Sequence, residues 1–394
     1  MSIPPASGSA PTLAEIAELL HDDYDPTTAE DWDRVGLVVG DPQQSVRRVH
    51  FAVDPLPPVV AEAVAASADL LVTHHPLLLR GVSSVAATGA KGRAVHELIG
   101  NNCGLLTLHT NADAALGGVN DALADAVGMR AERQPLRPIP DGSFVRVVVH
   151  VSEEHTDALI AAMAAAGAGK EAGQDFCAYW VDGTGQFRPL PGSGQRLGAV
   201  GSLERVRERR VEMLVPQARM MAVVHALHSA HPYQEPDFSV VEQVDLPGSR
   251  GLGRIGAVAE VELRELAVRL AGALPVTAHG VRVAGDPDTV VHKVAVCGGA
   301  GDSLLADVAA SGVDAYITSD LRHHPASEFR ADSDVALLDI AHWAGEWLWL
   351  ERAARRLAEQ VRSRGSHIEV EVSELNTDPW TFSVPGGERH EGSA

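Results

Sequence analysis

The chain has 394 residues, of which 45% are hydrophobic and 22% charged, and its 53 acidic and 32 basic side chains give a formal charge of -21. The length corresponds to roughly two or three domains of about 150 residues, and the apolar content excludes a disordered or collagen-like chain. The negative charge disfavours nucleic-acid binding, because it repels a phosphate backbone.

The three cysteines, Cys103, Cys177 and Cys297, are few and far apart. They supply neither a disulfide framework nor a cysteine-based zinc site, which fits a reducing compartment. Residues 1–11 lack the basic and apolar regions of a secretion signal, and no apolar run approaches the roughly 18 residues of a membrane helix. We therefore expect a cytoplasmic protein without a membrane segment.

Strands and helices are predicted to alternate in the first third of the chain. Residues 12–15, Thr-Leu-Ala-Glu, have the pattern of a capping box that begins a helix. After a loop at 31–36, hydrophobic periodicity predicts strands at 48–53, 70–73 and 104–108 and helices at 58–67, 93–99 and 118–127. This alternation is typical of βαβ units in a parallel sheet.

The last third repeats the alternation, with strands at 292–297, 315–318 and 335–340 and helices at 303–310, 326–331 and 343–361. Residues 70–76, LLVTHHP, are similar to Tyr-Ile-Thr at 316–318 followed by His-His-Pro at 323–325. We therefore predict an α/β fold in which two similar α/β halves form one core. The tail after about Asn376 is expected to be loosely held.

The middle of the chain has a different order of elements. Strands are predicted at 144–151, 176–181, 209–215 and 238–244, with a short one near 197–201, and helices at 153–166 and 217–229. This is the βαββαβ order of a ferredoxin-like α+β domain, and proline-rich segments at 137–140 and 246–248 mark its junctions. The prediction is a split core, 1–140 and 247–394, with an inserted α+β domain at 141–246.

Three predicted strands of the two halves are followed by metal-binding side chains: His74 and His75, His109 and Asp113, and His342 and Glu346. Ligands bind at the carboxyl ends of strands in α/β sheets, and a spacing of four places a histidine and an acid on one face of a helical turn. Each motif alone is more often a surface pair or a local hydrogen bond than a metal site. Together, at aligned strand ends, they supply six nitrogen and oxygen donors.

Six donors are too many for one tetrahedral zinc and suit two divalent ions with open positions. Imidazole and carboxylate without thiolate are compatible with zinc, iron or manganese, and the donor set does not choose among them. Asp113 or Glu346 could bridge the ions at about 3.5–4 Å, and a water acidified by both would be a nucleophile at neutral pH.

Four other patterns have simpler interpretations. Residues 251–256 satisfy G-x-G-x-x-G but follow a Pro-Gly loop, so a dinucleotide site is disfavoured. Gly298 to Gly301 suits a tight turn better than a phosphate-binding nest. Three tryptophans at 343, 347 and 349 should pack in a core or subunit contact. The arginines at 205, 207, 209 and 210 are interleaved with Glu204 and Glu208, which is typical of a solvated face.

The chain resembles the Nif-three-like family, also described as GTP cyclohydrolase type-two homologues or dinuclear-metal-centre hexameric proteins. The similar segments are 31–37 (DWDRVGL), 71–77 (LVTHHPL), 109–113 (HTNAD) with 117–121 (GGVND), 294–301, 314–324 and 341–346 (AHWAGE). The resemblance covers nearly the whole chain. Its middle part, including 185–189 and 231–236, resembles the inserted domain of the longer members.

The resemblance implies a toroidal homohexamer with a two-metal site in each subunit. Carried over by position, His75 and Asp113 would hold one ion, His74 and His342 the other, and Glu346 would bridge them. His109 matches a histidine near the site and is assigned as a catalytic proton carrier. His323 and His324 also lie in a similar segment and remain unassigned.

The function predicted from these features is metal-dependent hydrolysis of a small, nucleotide-like substrate through metal-bound hydroxide. The family description suggests GTP, whose imidazole ring would open after attack of water at C8, with His109 moving protons. The alternative is a non-catalytic metal-binding or regulatory hexamer that responds to a small ligand or partner. Nucleic-acid binding has the least support.

Overall fold

A computed structural model describes residues 9–140, 142–171, 173–191, 199–233, 235–244 and 247–384. The chain forms two compact units, which are described separately. Unit 1 comprises the residues up to Ile139 and from Gly248 onward, and unit 2 comprises Pro140–Pro247. Both contain helices and sheets, so the predicted α/β class is confirmed.

The helices in chain order are α1 (Leu13–Asp23), α2 (Pro57–Ala65), α3 (Ala90–Gly100), α4 (Thr110–Ala114), α5 (Val119–Val127), α6 (Thr156–Ala165), α7 (Met220–Ala230), α8 (Leu263–Ala273), α9 (Leu305–Ala310), α10 (His323–Asp332) and α11 (His342–Ser363). The strands are β1 (Gly36–Val39), β2 (Arg48–Ala52), β3 (Leu70–Thr73), β4 (Gly104–Thr107), β5 (Arg137–Pro140), β6 (Phe144–Ser152), β7 (Tyr179–Phe187), β8 (Glu204–Pro216), β9 (Phe238–Glu242), β10 (Pro247–Leu252), β11 (Arg254–Glu262), β12 (Val281–Ala284), β13 (Val290–Ala300), β14 (Ala315–Ser319), β15 (Ala336–Ile340) and β16 (Glu369–Val372). No helix in this described part of the chain is both long and apolar enough to cross a membrane.

Unit 1 contains two five-stranded sheets, ordered β1-β4-β3-β2-β16 and β11-β13-β14-β15-β12. In the first sheet β16, β2, β3 and β4 are parallel, and in the second β13, β14 and β15 are parallel. Strands β3 and β4 are buried along their whole length, as expected for strands covered on both faces. The carboxyl ends of the parallel strands in each sheet lie at one edge.

Two helices of unit 1 show how local sequence sets the fold. At the start of α1 the Thr12 amide donates to Glu15 Oε2 at 2.7 Å and the Glu15 amide donates to Thr12 Oγ1 at 3.2 Å, so the predicted capping box is present. The long helix α11 packs in the core of the first half through Trp343 and Trp349. The predicted core packing is confirmed for Trp343 and Trp349, and Trp347 is partly buried against the same core.

Unit 2 has the element order β6-α6-β7-β8-α7-β9 and an antiparallel sheet ordered β7-β8-β6-β9. Strand β7 begins at Tyr179, three residues later than expected: Phe176 has a left-handed backbone with φ 56°, and the Cys177 amide donates to the Gly169 carbonyl. Strand β8 begins earlier than expected, because Glu204 already pairs with Phe187. Of the short strand expected near 197–201, residues 197 and 198 lie outside the described residues, and 199–201 form no strand.

The proline-rich segments expected to be loop junctions contain paired strands. Arg137–Pro140 forms β5 and Pro247–Leu252 forms β10, and the two make a two-stranded sheet. Leu246 lies outside the described residues. Proline is tolerated here because each strand of a two-stranded sheet is an edge strand. A proline without an N–H on its outer side then removes no hydrogen bond between strands.

Candidate metal centre

The candidate metal centre lies in unit 1 at the carboxyl ends of β3 and β4 of the first sheet and of β15 of the second sheet. His74 and His75 follow β3, His109 follows β4, and His342 is the first residue of α11 after β15. Glu346 lies one helical turn along α11, and Asp113 lies on the short helix α4. The carboxyl ends of strands from both sheets of unit 1 therefore carry all six donors that the sequence singles out.

Glu346 is at the middle of the group and is only 2% exposed. Its Oε1 lies 2.8 Å from His342 Nε2 and 3.3 Å from His74 Nε2. Its Oε2 lies 3.1 Å from His75 Nε2. The two carboxylate oxygens thus face different histidines.

Two subsets of donors lie close enough to hold an ion. One contains His74, His75 and His109, and the other contains His75, His342 and Glu346, with the donor atoms of each subset within 4.8 Å of one another. Asp113 Oδ1 is 3.8 Å from His74 Nε2. His75 belongs to both subsets, so the two groups of donors adjoin at this residue.

Each of the four histidines has its Nδ1 beside an oxygen acceptor. The Nδ1 distances are 2.9 Å from His74 to the Leu108 carbonyl, 2.7 Å from His75 to Asp54, 2.7 Å from His109 to Asp33 and 2.6 Å from His342 to Asp320. A metal-binding histidine typically donates its second ring N–H to such an oxygen, which fixes the tautomer and the ring orientation. When such a histidine is neutral and its Nδ1 donates, Nε2 offers a lone pair to a metal ion.

The role of these acceptors was not predicted from the sequence. Asp54 follows β2 and Asp320 follows β14, so each is an acid just beyond a parallel strand, as the donors themselves are. This position just beyond a parallel strand is the sequence feature that could have identified Asp54 and Asp320. Asp33 lies in the 31–37 segment of the family resemblance and also accepts from the Thr110 amide at 3.0 Å.

The inner atoms of the site lack hydrogen-bond partners. His74 Nε2, Asp113 Oδ1 and Glu346 Oε2 are buried without one, although His75 Nε2 lies near Glu346 Oε2. Buried polar atoms without partners are costly and are usually satisfied by water or an ion. A divalent cation would satisfy nitrogen and oxygen lone pairs together, so the residues fit metal ions.

The charges of the site shift several pKa values. Burial lowers the pKa of His75 and His342, but the Glu346 charge and the hydrogen bonds to Asp54 and Asp320 outweigh it and raise these pKa values to about 10 and about 11. Burial raises the pKa of Glu346, but the neighbouring histidines hold it well below its ordinary value. In the metal-free protein, protons on histidine therefore balance the buried carboxylate.

Asp113 differs from Glu346, because burial is the largest effect on it and raises its pKa to about 7. His109, which lowers this pKa, only partly opposes burial. A carboxyl group with this pKa readily loses its proton when a cation arrives.

Glycines at the end of β13 allow the backbone to approach the centre. A Cβ on Gly299, which has φ 72°, would lie 2.6 Å from Glu346 Oε1 and 3.2 Å from His342 Nε2. A Cβ on Gly301 would lie 2.2 Å from Tyr316 Oη. The strand continues to Ala300, beyond the end expected at Cys297, so close approach to neighbouring side chains accounts for this glycine run.

The G-x-G-x-x-G pattern also has a structural explanation. Arg254, only 1% exposed, lies within it and donates to the carbonyls of Gly251 and Gly253 at 2.7 and 2.8 Å. The same guanidinium donates to the Ala115 carbonyl at 2.6 Å and lies 3.0 Å from Asp121. Arg254 therefore holds the turn between α4, which carries Asp113, and α5.

An exposed tryptophan and two exposed histidines lie outside the two donor subsets. Trp32 is 54% exposed and its ring lies 5.8 Å from the His109 ring at an interplanar angle of 81°. His323 and His324 lie exposed at the start of α10 and belong to neither donor subset found among the described residues.

Comparison with known proteins agrees with the motif resemblance. A family model described as Duf34/NIF3 (NGG1p interacting factor 3) matches residues 11–379. A Mycobacterium tuberculosis protein named GTP cyclohydrolase 1 type 2 homolog is 48% identical over 378 residues, which cover 95% of this chain and 98% of the relative. A Bacillus subtilis protein of the same name is 33% identical, covering 93% and 98%.

Solved structures give the same result. A Bacillus cereus protein described as related to NIF3 is 32% identical with a TM-score of 0.71, covering 95% of this chain and all of the other. A Staphylococcus aureus protein is 25% identical with a TM-score of 0.80, covering 97% of this chain and all of the other. The resemblance to known sequences therefore extends to the fold.

Proposed function

Because the chain belongs to the Duf34/NIF3 family, we propose that it binds two divalent metal ions around Glu346 and hydrolyses a small, nucleotide-like substrate. One observation carries the proposal. Three histidines, His74, His75 and His342, surround the buried Glu346 carboxylate, and His109 lies beside two of them. The Nδ1 atom of each of the four is held by an oxygen acceptor, and three inner atoms of the site have no hydrogen-bond partner.

The proposed ligands follow the positions of the donors. His75 and Asp113 would hold one ion, His74 and His342 the other, and Glu346 would bridge them. The carboxylate supports this division, because its Oε1 faces His74 and His342 while its Oε2 faces His75. Zinc, iron and manganese all suit this nitrogen and oxygen donor set.

Bound ions of this kind would supply Lewis acidity that makes a water molecule nucleophilic at neutral pH. His109 is the proposed proton carrier, because its Nδ1 is fixed by Asp33 and it lies beside His74 and His75. For GTP, the substrate in the relatives' name, water would add at C8 of the base. His109 would then deliver a proton to the ring nitrogen that leaves C8.

The exposed side of the centre favours hydrolysis over a non-catalytic metal site. Glu346 and His74 side chains are 3% and 0% exposed, but His75 and His342 side chains are 23% and 30% exposed. Trp32 adds an exposed aromatic surface beside His109, which suits a planar base. A storage or structural site would have closed coordination with no such opening.

The proposal extends to the assembly and the domains. We include the cytoplasmic homohexamer implied by the family resemblance, and we take unit 2 to be a domain inserted into the metal-binding core. Sedimentation equilibrium of the purified protein tests the hexamer, since a monomer or dimer at micromolar concentration would contradict it.

The test of function combines metal analysis with an activity screen. We expect purified wild-type protein to bind two ions per chain and Glu346→Gln to lose most of this binding, because the amide carries no charge to bridge two cations. Glu351→Gln, an exposed site on the same helix, is the matched control and should bind as wild type does. Equal metal content in all three proteins would contradict the ligand set.

Activity is measured on metal-loaded wild-type protein with GTP and a panel of nucleotides, with products identified by mass spectrometry. Conversion that depends on Glu346 and His109 but not on Glu351 supports the hydrolase. Full metal content with no nucleotide converted would refute the hydrolase and favour the non-catalytic alternative.

A further inference from the structure

We propose that the segment after β16 is part of the metal centre and that Thr377 is a positioning residue for His75. This rests on the proposed metal function and names a residue that acts through a proposed ligand. The segment enters the site because of the sheet order. Strand β16 is parallel to β2, with Val372 opposite Phe51, so the chain leaves both strands at the same edge.

Hydrogen bonds at Ser373 and Asn376 connect the segment after β16 to the rest of unit 1. The Ser373 amide donates to the Phe51 carbonyl at 2.8 Å, and Trp347 Nε1 donates to the Ser373 carbonyl at 2.9 Å. Asn376 Nδ2 donates to the Val276 carbonyl at 3.1 Å. At Asn376 and Thr377, where the predicted loosely held tail begins, side-chain hydrogen bonds connect the segment to Val276 and Asp54.

Asp54 connects the segment to the centre through its two carboxylate oxygens. Oδ1 lies 2.7 Å from His75 Nδ1, and Oδ2 accepts a hydrogen bond from the Thr377 hydroxyl. A carboxylate held at both oxygens cannot rotate about its terminal bond without losing one contact. Thr377 therefore fixes the plane of Asp54, and Asp54 fixes the ring of His75.

Orientation of this ring matters because His75 is the donor shared by both subsets. Its Nε2 faces Glu346 Oε2, and rotation of the imidazole would move the lone pair away from the position of an ion. Loss of an outer hydrogen-bond partner of a metal ligand typically weakens metal binding by about 10- to 100-fold. Asp54 and Thr377 are 323 residues apart in the chain, so only the folded sheet brings them together.

The test compares Thr377→Val, which keeps the shape but removes the hydroxyl, with Thr377→Ser, which keeps the hydroxyl. Metal-free full-length protein is titrated with Zn²⁺ against a chromophoric chelator, and Co²⁺ absorption reports the ligand geometry. We expect Thr377→Val to weaken one of the two ions by about 10- to 100-fold and to alter the Co²⁺ spectrum. Thr377→Ser should bind as wild type does.

A double-mutant cycle with Asp54→Asn separates positioning from a general structural role. If Thr377 acts through Asp54, adding Thr377→Val to Asp54→Asn should cause no further loss. Equal affinities for the valine variant and wild type, equal losses for valine and serine, or additive losses in the cycle would each overturn the inference. Wild-type protein that binds no ion would instead refute the proposed function on which it rests.

Discussion

Replacement of Gly299 by alanine tests whether the glycine run exists to admit the carboxylate of the metal centre. The new Cβ would lie 2.6 Å from Glu346 Oε1, where ordinary van der Waals contact begins at 3.4 Å. The oxygen must therefore retreat by about 0.8 Å, several times the roughly 0.2 Å tolerance of a metal-ligand distance. In metal-free protein Glu346 could relax, whereas a bound ion would hold it in place.

The cost should therefore appear in metal affinity. Overpacking a well-packed site costs about 1–3 kcal/mol, which corresponds to roughly 5- to 150-fold weaker binding. The matched control is Gly312→Ala, because Gly312 has a similar left-handed φ of 65° but no atom within 4 Å of a Cβ. Both variants carry the backbone strain of a left-handed alanine, and only Gly299→Ala meets the carboxylate.

Isothermal titration of the metal-free proteins with Zn²⁺ measures the difference, and urea unfolding measures the shared strain. We expect both variants to lose about 1 kcal/mol of stability and only Gly299→Ala to lose metal affinity. Equal Zn²⁺ affinities for the two variants would refute this account of the glycine run.

Three further predictions concern the buried Arg254, the protonation of the candidate metal centre and the exposed ring of Trp32. Arg254→Met should lower the free energy of unfolding by about 3–5 kcal/mol, because it leaves buried acceptors unpaired. The control is Arg269→Met in an exposed ion pair, which should cost under about 1 kcal/mol. Similar denaturation midpoints for the two variants would contradict this prediction. The pKa values of His75 and His342 are raised to about 10 and about 11, so metal binding at pH 8 should release protons and should strengthen as the pH rises. Calorimetric titrations in buffers of different ionisation enthalpy measure this release, and equal binding heats in all buffers would contradict it. Trp32→Ala should weaken binding of a purine nucleotide by about 1–3 kcal/mol, with Trp32→Phe close to wild type in the same titration, and equal affinities for all three proteins would remove the stacking role.

The raised histidine pKa values also predict how the metal-free protein responds to pH. A folded pKa above the ordinary value near 6.5 means that protonated His75 and His342 stabilise the fold fully below about pH 6.5. This contribution is lost as pH rises through about 10 and about 11. Metal-free protein should therefore become less stable to urea between pH 7 and 10, and Zn²⁺ should reduce this dependence.

Local sequence patterns predict many of the helices and strands and the candidate metal donors. Hydrophobic periodicity predicted β3 at its observed bounds, and the capping box predicted the start of α1. His74 directly follows an apolar strand, and His75 and His342 each lie one residue further along, so these donors could be identified from the sequence. These features depend on neighbours within a few residues, which a sequence displays directly.

The supporting interactions depend on pairings between distant segments. Thr377 reaches Asp54 only because β16 pairs with β2, and Arg254 reaches Ala115 only because the fold brings the start of β11 to the end of α4. Gly299 resembled a turn glycine because its neighbour Glu346 lies on another element. The sequence thus displays which residues could bind metal, whereas strand order decides which atoms orient them, because that order results from packing of the whole chain.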